Sequence, residues 1–251
     1  MTNKPLAKSL PAPRPGAPLK SLLSIPLLFF ATNLFAHSVW IEVERGVARV
    51  NYGEPEVALV ESSPGKLDTI ELTEGFVPGQ PDGLTPRPGP KGVLLGNVRT
   101  GDTVLARAQA KAPYMADDGK KPTRSLYYAR RMAWPLQGAA AAALDLDIVP
   151  VPGERNTFRV YFKGEPLRAG TLKAMAPSLW VQIHDIDEQG RVRIQTPWRG
   201  RYVLDVEHEE AAPGEQAGQR YIATAHRASL SFVQPTGVVF AKPLPPQFKV
   251  H

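Results

Sequence analysis

The chain has 251 residues and no cysteine. That absence excludes disulfides, zinc ribbons, thiolate nucleophiles, blue-copper sites and iron–sulfur clusters. Enzyme signatures are missing too: there is no GxSxG elbow, no P-loop and no HExxH. The carboxylates are too dispersed to mark a general acid–base pair, and no residue is assigned as catalytic. The expectation is a protein that is not an enzyme. Long apolar runs are also scarce. The single candidate, Ser21 to Phe35, spans about 15 residues and falls short of the roughly 20 that cross a bilayer as a helix.

That run sits inside a secretory leader pattern. Residues 1–36 carry Lys4, Lys8, Arg14 and Lys20 and no acid. The apolar stretch follows, interrupted by Pro26, and Ala36 supplies a small residue at the cleavage point. The basic segment is long for a signal, which leaves a start downstream of Met1 open; a retained N-terminal anchor is the alternative reading of the apolar run. Most of the overall charge of +6 resides in this leader. The remainder has 26 basic and 24 acidic residues, a balance that gives little pull on phosphate, so nucleic acid is not an expected partner. An exported protein without disulfides suits the periplasm of a Gram-negative bacterium.

What is abundant is proline (26) and glycine (21), as many short strands with many turns require. Trp40 to Val50 alternates about Arg45-Gly46 and reads as a hairpin. Val57 to Glu61, Thr69 to Leu72, Gly92 to Val98 and Thr103 to Ala108 read as further strands. Gly75 to Lys91, with five prolines and four glycines, reads as a long surface loop. Gln137 to Leu146, with five successive alanines, reads as a helix or as a connector between domains. A second strand series follows: Thr157 to Lys163, Thr171 to Ala176, Arg191 to Thr196, Tyr202 to His208 and Tyr221 to Val233. The prediction is an all-β protein of two immunoglobulin-like or transthyretin-like β-sandwich domains. The first covers 37–136 and the second 148–240, joined by 137–147, with a loose tail at 241–251.

Cleavage after Ala36 makes His37 the N-terminus. One residue then offers two nitrogen donors, its α-amine and ring Nδ1, which chelate a metal in a single ring. The amine's reference pKa of about 7.7–8.0 lets a metal displace its proton near neutrality. Such donors suit nickel, cobalt, copper or zinc better than calcium or magnesium. With cleavage shifted by a residue or two, His37 is an ordinary surface residue. Two more histidines fall on apolar strand faces: His208 with Leu204 and Val206, and His226 with Ile222, Leu230 and Phe232. Each alone reads as a core histidine; together with His37 they suggest a shared metal site. His184 is a weaker candidate, His251 lies at the tail, and Glu42 and Glu207 are carboxylates that could join a site. Arg130-Arg131, after Tyr127-Tyr128, reads either as an anion-binding cluster or as a solvated strand or helix edge.

The opening Ala36-His37-Ser38-Val39-Trp40-Ile41-Glu42 resembles the start of a bacterial exported family of unknown function, one related to the substrate-binding component of nickel/cobalt uptake. Phe162 to Gly170, Asp187 to Val192, Gly200 to Leu204 with His208, and Ala228 to Phe232 are similar to further stretches of it. The resemblance implies a periplasmic β-sandwich that binds a divalent metal ion and serves nickel or cobalt handling, any transport role requiring a separate membrane transporter; the nitrogen donors admit copper as well. It carries over His37, Trp40 and His208, while His226 follows from strand parity alone. Ser38 stands where an acidic residue is common in that family. Two other classes stay open: a structural or adhesive module without metal, and a copper-dependent oxidative enzyme using an N-terminal histidine.

Overall fold

The computed structural model describes Met1 and residues 37–115, 121–136 and 141–240. The expected leader, the first part of the connector, and the tail with His251 lie outside the described residues.

The architecture is all-β, in three layers. The first layer begins with β1 (Ser38–Glu44) and β2 (Val47–Glu54), the expected hairpin. Arg45 and Gly46 both take positive φ, 51° and 79°, as a two-residue turn matched to strand twist requires. A single 3₁₀ turn, Pro55–Val57, folds the chain back so that β3 (Leu59–Val60) pairs with the end of β2. Two later strands complete this sheet, β5 (Arg87–Gly89) and β6 (Gly92–Asn97), in the order β1-β2-β6-β5. They show that the proline-rich stretch predicted as a loop is partly strand.

The middle layer is the largest. It contains β4 (Ile70–Phe76), β7 (Val104–Ala110), β9 (Pro122–Arg131), β13 (Thr171–Met175), β14 (Val181–Asp185), β16 (Trp198–Glu210) and β19 (Ala223–Gln234). Their order is β14-β13-β16-β19-β9-β7-β4. Two short strands attach, β8 (Tyr114–Met115) to β9 and β20 (Val238–Val239) to β16. The third layer is β10 (Leu146–Pro150), β11 (Thr157–Phe162), β12 (Glu165–Pro166) and β15 (Arg191–Arg193). A small separate hairpin is formed by β17 (Gly214–Gln216) and β18 (Gln219–Tyr221).

Two features differ from the sequence reading. The alanine-rich segment is not helical where it is described: β10 begins at Leu146, inside the span assigned to a connector. The two halves also do not close as separate sandwiches. β9 lies before that connector and β19 after it, yet they pair in parallel from Ala223↔Thr123 to Ser231↔Arg131. The physical reason is that the two cores lie on opposite faces of one sheet. Tyr202, Leu204, Val206, Ala228, Leu230 and Phe232 alternate onto one face and pack against Ile148, Phe158 and Val160 of the third layer. Val104, Ala106 and Ala129 occupy the other face and pack against Val39, Ile41 and Val50 of the first.

The first sheet meets the middle one by an edge. β1 is its border strand, and its outward carbonyls at Val39 and Ile41 accept the hydroxyls of Ser229 and Ser231 on β19. Unpaired edge groups are thereby satisfied without another strand. Val39 and Ile41 pack to one side of this junction, and Trp40 packs to the other, against Met175 and Val203.

Candidate functional site

The head of β1 gathers the polar groups of most chemical interest. The hairpin register pairs Ser38 with Gly53, which sets His37 across from Glu54. The reversal after β2 then brings Glu61 beside them, its amide donating to the Tyr52 carbonyl at 2.8 Å. Gly53 permits that reversal: a β-carbon there would stand 2.2 Å from the Leu59 carbonyl oxygen. His37 Nε2 lies 2.6 Å from Glu61 Oε1, and Nδ1 lies 3.6 Å from Glu54 Oε1. Glu61 is fully buried, while His37 and Glu54 are each 13% exposed. A third acid, Glu56, follows on the same turn, and burial first of all holds its carboxyl above the usual carboxylate range.

Aromatic rings back this cluster. The His37 ring is 5.0 Å from that of Tyr52, and Tyr52 meets Tyr127 edge-on at 5.7 Å. Burial, then the neighbouring Tyr127, raises the Tyr52 phenol, so it remains a neutral donor. Next to His37, the Ser38 hydroxyl donates to Asp205 Oδ1 at 2.7 Å, tying the start of β1 to β16.

Asp205 has its pKa pushed up to about 6, mainly by burial and further by Glu56, against the lowering effects of Ser38, Lys173 and Arg227. Its folded pKa exceeds the free value, so the folded state holds an extra proton between about pH 4 and 6. Stability is full below that window and falls as pH rises through it. Asp205→Asn keeps an acceptor for Ser38 and cannot ionise. It is expected to stabilise the protein by about 1–2 kcal/mol at pH 7, a value lowered for the solvent that reaches part of this side chain. Urea unfolding at pH 4 and pH 7 checks this: parent and variant with the same pH slope would contradict it.

The three histidines expected to share a site are not brought together. His208 and His226 are cross-strand partners on the opposite face of the middle sheet from His37. Both pack against Phe162, at 4.3 and 5.0 Å between ring centres. His226 Nε2 donates to Glu210 at 3.3 Å, and Nδ1 lies 3.0 Å from the Tyr128 hydroxyl. Burial, opposed by Glu210, lowers its pKa, so the ring is neutral and both its nitrogens are engaged. Leu230 and Phe232 share its face as expected, but Ile222 precedes β19 and is exposed. His184 is on the border strand β14, bonded to Gln182 at 3.3 Å.

The other candidates resolve as structure. Trp40 is buried, and its indole N–H donates to Glu42 at 2.7 Å, which in turn pairs with Arg201. Glu207 holds Arg227. Arg130 is neither a solvated edge nor an anion site: it is buried against Asp147, while Arg131 donates to the carbonyls of Thr100 and Asp102.

Glu54 and Glu61 were missed by the sequence reading. Glu54 was within reach, because counting back from the two-residue Arg45-Gly46 turn fixes His37 opposite it. Glu61 was not, because its place depends on the reversal at Gly53. Among the described residues, no three or more His, Asp or Glu side chains converge in metal-ligand geometry. Compared with family models, with curated proteins and with solved structures, the chain has no significant match.

Proposed function

We propose that the chain is an exported metal-ion-binding protein, its ion held at the head of β1 by the α-amine and Nδ1 of His37 and by Glu54. The observation that carries this is the placement of the His37 ring between two carboxylates. Two donors on one transition-metal ion, each about 2.0–2.2 Å from it, lie roughly 3–4 Å apart. The 3.6 Å between Nδ1 and Glu54 fits that spacing. Glu61 accepts from Nε2, which fixes the tautomer that leaves the Nδ1 lone pair for metal, the usual carboxylate–histidine–metal arrangement. The third donor is the amine made when the leader is removed, so two side chains suffice. Nitrogen donors favour nickel, cobalt or copper, and the resemblance to nickel/cobalt uptake proteins agrees with this. On this reading the protein works in the periplasm, catalyses no reaction, and passes its ion to a membrane transporter.

Mass spectrometry of the secreted protein gives its first residue, and calorimetric titration with Cu(II), Ni(II) and Co(II) tests the site. A chain beginning at His37 is expected to bind at least one of these ions with micromolar or tighter affinity. No uptake of any of the three by that chain overturns the proposal.

A further inference from the structure

Because the first sheet stands on its β1 edge, it has two flanks. The flank of Val39 and Ile41 is filled by the second core. The other flank carries Trp40, Arg49 and Asn51, and among the described residues its packing is at the root, where Trp40 meets Met175 and Val203. Outside that contact lies an open cleft of about 500 Å³, walled on its far side by Pro177, Leu179 and Arg199. Small-molecule sites run about 300–1,000 Å³ and pair apolar walls with a few placed polar groups.

Cationic groups outnumber acids in the lining, four to two. Asn51 is only 3% exposed, lines the cleft, and its carboxamide has no hydrogen-bond partner among the described residues. Its amide opens on the cleft and can donate to a ligand acceptor there. Arg49 and Arg199 also lack an ion-pair partner among the described residues. Lys91 and Arg201 add positive charge to the lining; of the two acids, Glu42 is tied to Arg201 and Trp40, and Glu44 is exposed.

We propose that this cleft binds an amphipathic organic carboxylate. Its apolar body lies along Val60, Met175 and Leu179, its carboxylate is read by Arg49 and Arg199, and the Asn51 Nδ2 donates to it. Guanidinium is suited to this, since it offers paired donors that match a carboxylate and sheds water readily. The site uses neither His37, Glu54 nor Glu61, and it stands whether or not a metal binds at the head of β1.

The test titrates the mature protein with octanoate, 1-octanol and acetate, read by calorimetry and by the side-chain amide resonances of Asn51. Octanoate is expected to bind about tenfold or more tightly than octanol and to shift the Asn51 signals, with acetate weaker than both. The double variant Arg49→Ala/Arg199→Ala, both at the cleft rim, is expected to lose about tenfold or more for octanoate and nothing for octanol. Equal affinity for octanoate and octanol, an unmoved Asn51 signal, or a double variant that binds octanoate as the parent does would each overturn the proposal. So would the absence of any binding.

Discussion

Asp147→Ala is expected to cost about 3–5 kcal/mol of folding stability. Arg130 on β9 and Asp147 on β10 form an ion pair between the middle and third layers, with both side chains all but sealed from solvent. The guanidinium reaches the carboxylate twice, through Nε at 2.8 Å and through a second nitrogen, and also donates to the Ala141 carbonyl at 3.1 Å. Asp147 in turn accepts the backbone N–H groups of Ala143 and Leu144, at 2.9 and 3.3 Å, which shapes the approach to β10. Removing the carboxylate therefore strands a buried cation and releases two backbone donors. The pair itself is a smaller asset than this loss suggests, because burying both charges costs nearly what their attraction returns. The double variant Arg130→Met/Asp147→Leu is accordingly expected to recover most of the loss. Urea denaturation of the three proteins measures both quantities. A single variant within about 1 kcal/mol of the parent would show that the pair is not sealed from water as described.

That ion pair also marks where the sequence stopped being legible. The all-β class, the β1–β2 hairpin and the alternation of β11, β16 and β19 follow from period-2 patterning and turn residues. β9 does not. Tyr127, Tyr128, Ala129 and Arg130 are buried in succession because layers cover both faces of the strand. A strand buried on both sides shows no alternation. An arginine pair within it reads as surface, because only the partner Asp147, brought in by tertiary folding, makes burial tolerable. The parallel pairing of β9 with β19 is equally hidden, since it joins segments about a hundred residues apart across an alanine-rich stretch that resembles a domain boundary. The same limit governs the histidines. Strand parity placed His208 and His226 on one face correctly, but parity cannot say that His37 belongs to another layer.

That difference in layer yields the largest expected effect on binding, and it separates two sites. Were His37, His208 and His226 to share an ion, His208→Ala would weaken metal binding markedly. With the ion at the head of β1, His208→Ala and His226→Ala are expected to leave affinity unchanged, while Glu54→Ala lowers it about 100-fold or more by removing a ligand. Glu61→Gln acts indirectly. It keeps a group beside Nε2 but loses the charged acceptor that sets the ring's tautomer, and it is expected to cost about 10–100-fold. One added glycine ahead of His37 leaves every side chain in place and breaks the five-atom link between amine and Nδ1, so it is expected to cost as much as Glu54→Ala. On that proposal the affinity also has a pH dependence fixed in sign. A proton must leave the amine, so binding weakens about tenfold per unit as pH falls below roughly 7.7. Titrations of copper or nickel into the five variants at pH 8 and pH 6.5 separate the cases. Should the glycine-extended chain bind as well as the parent, with His208→Ala the weak binder, the ion belongs on the Phe162 face and not beside Glu54.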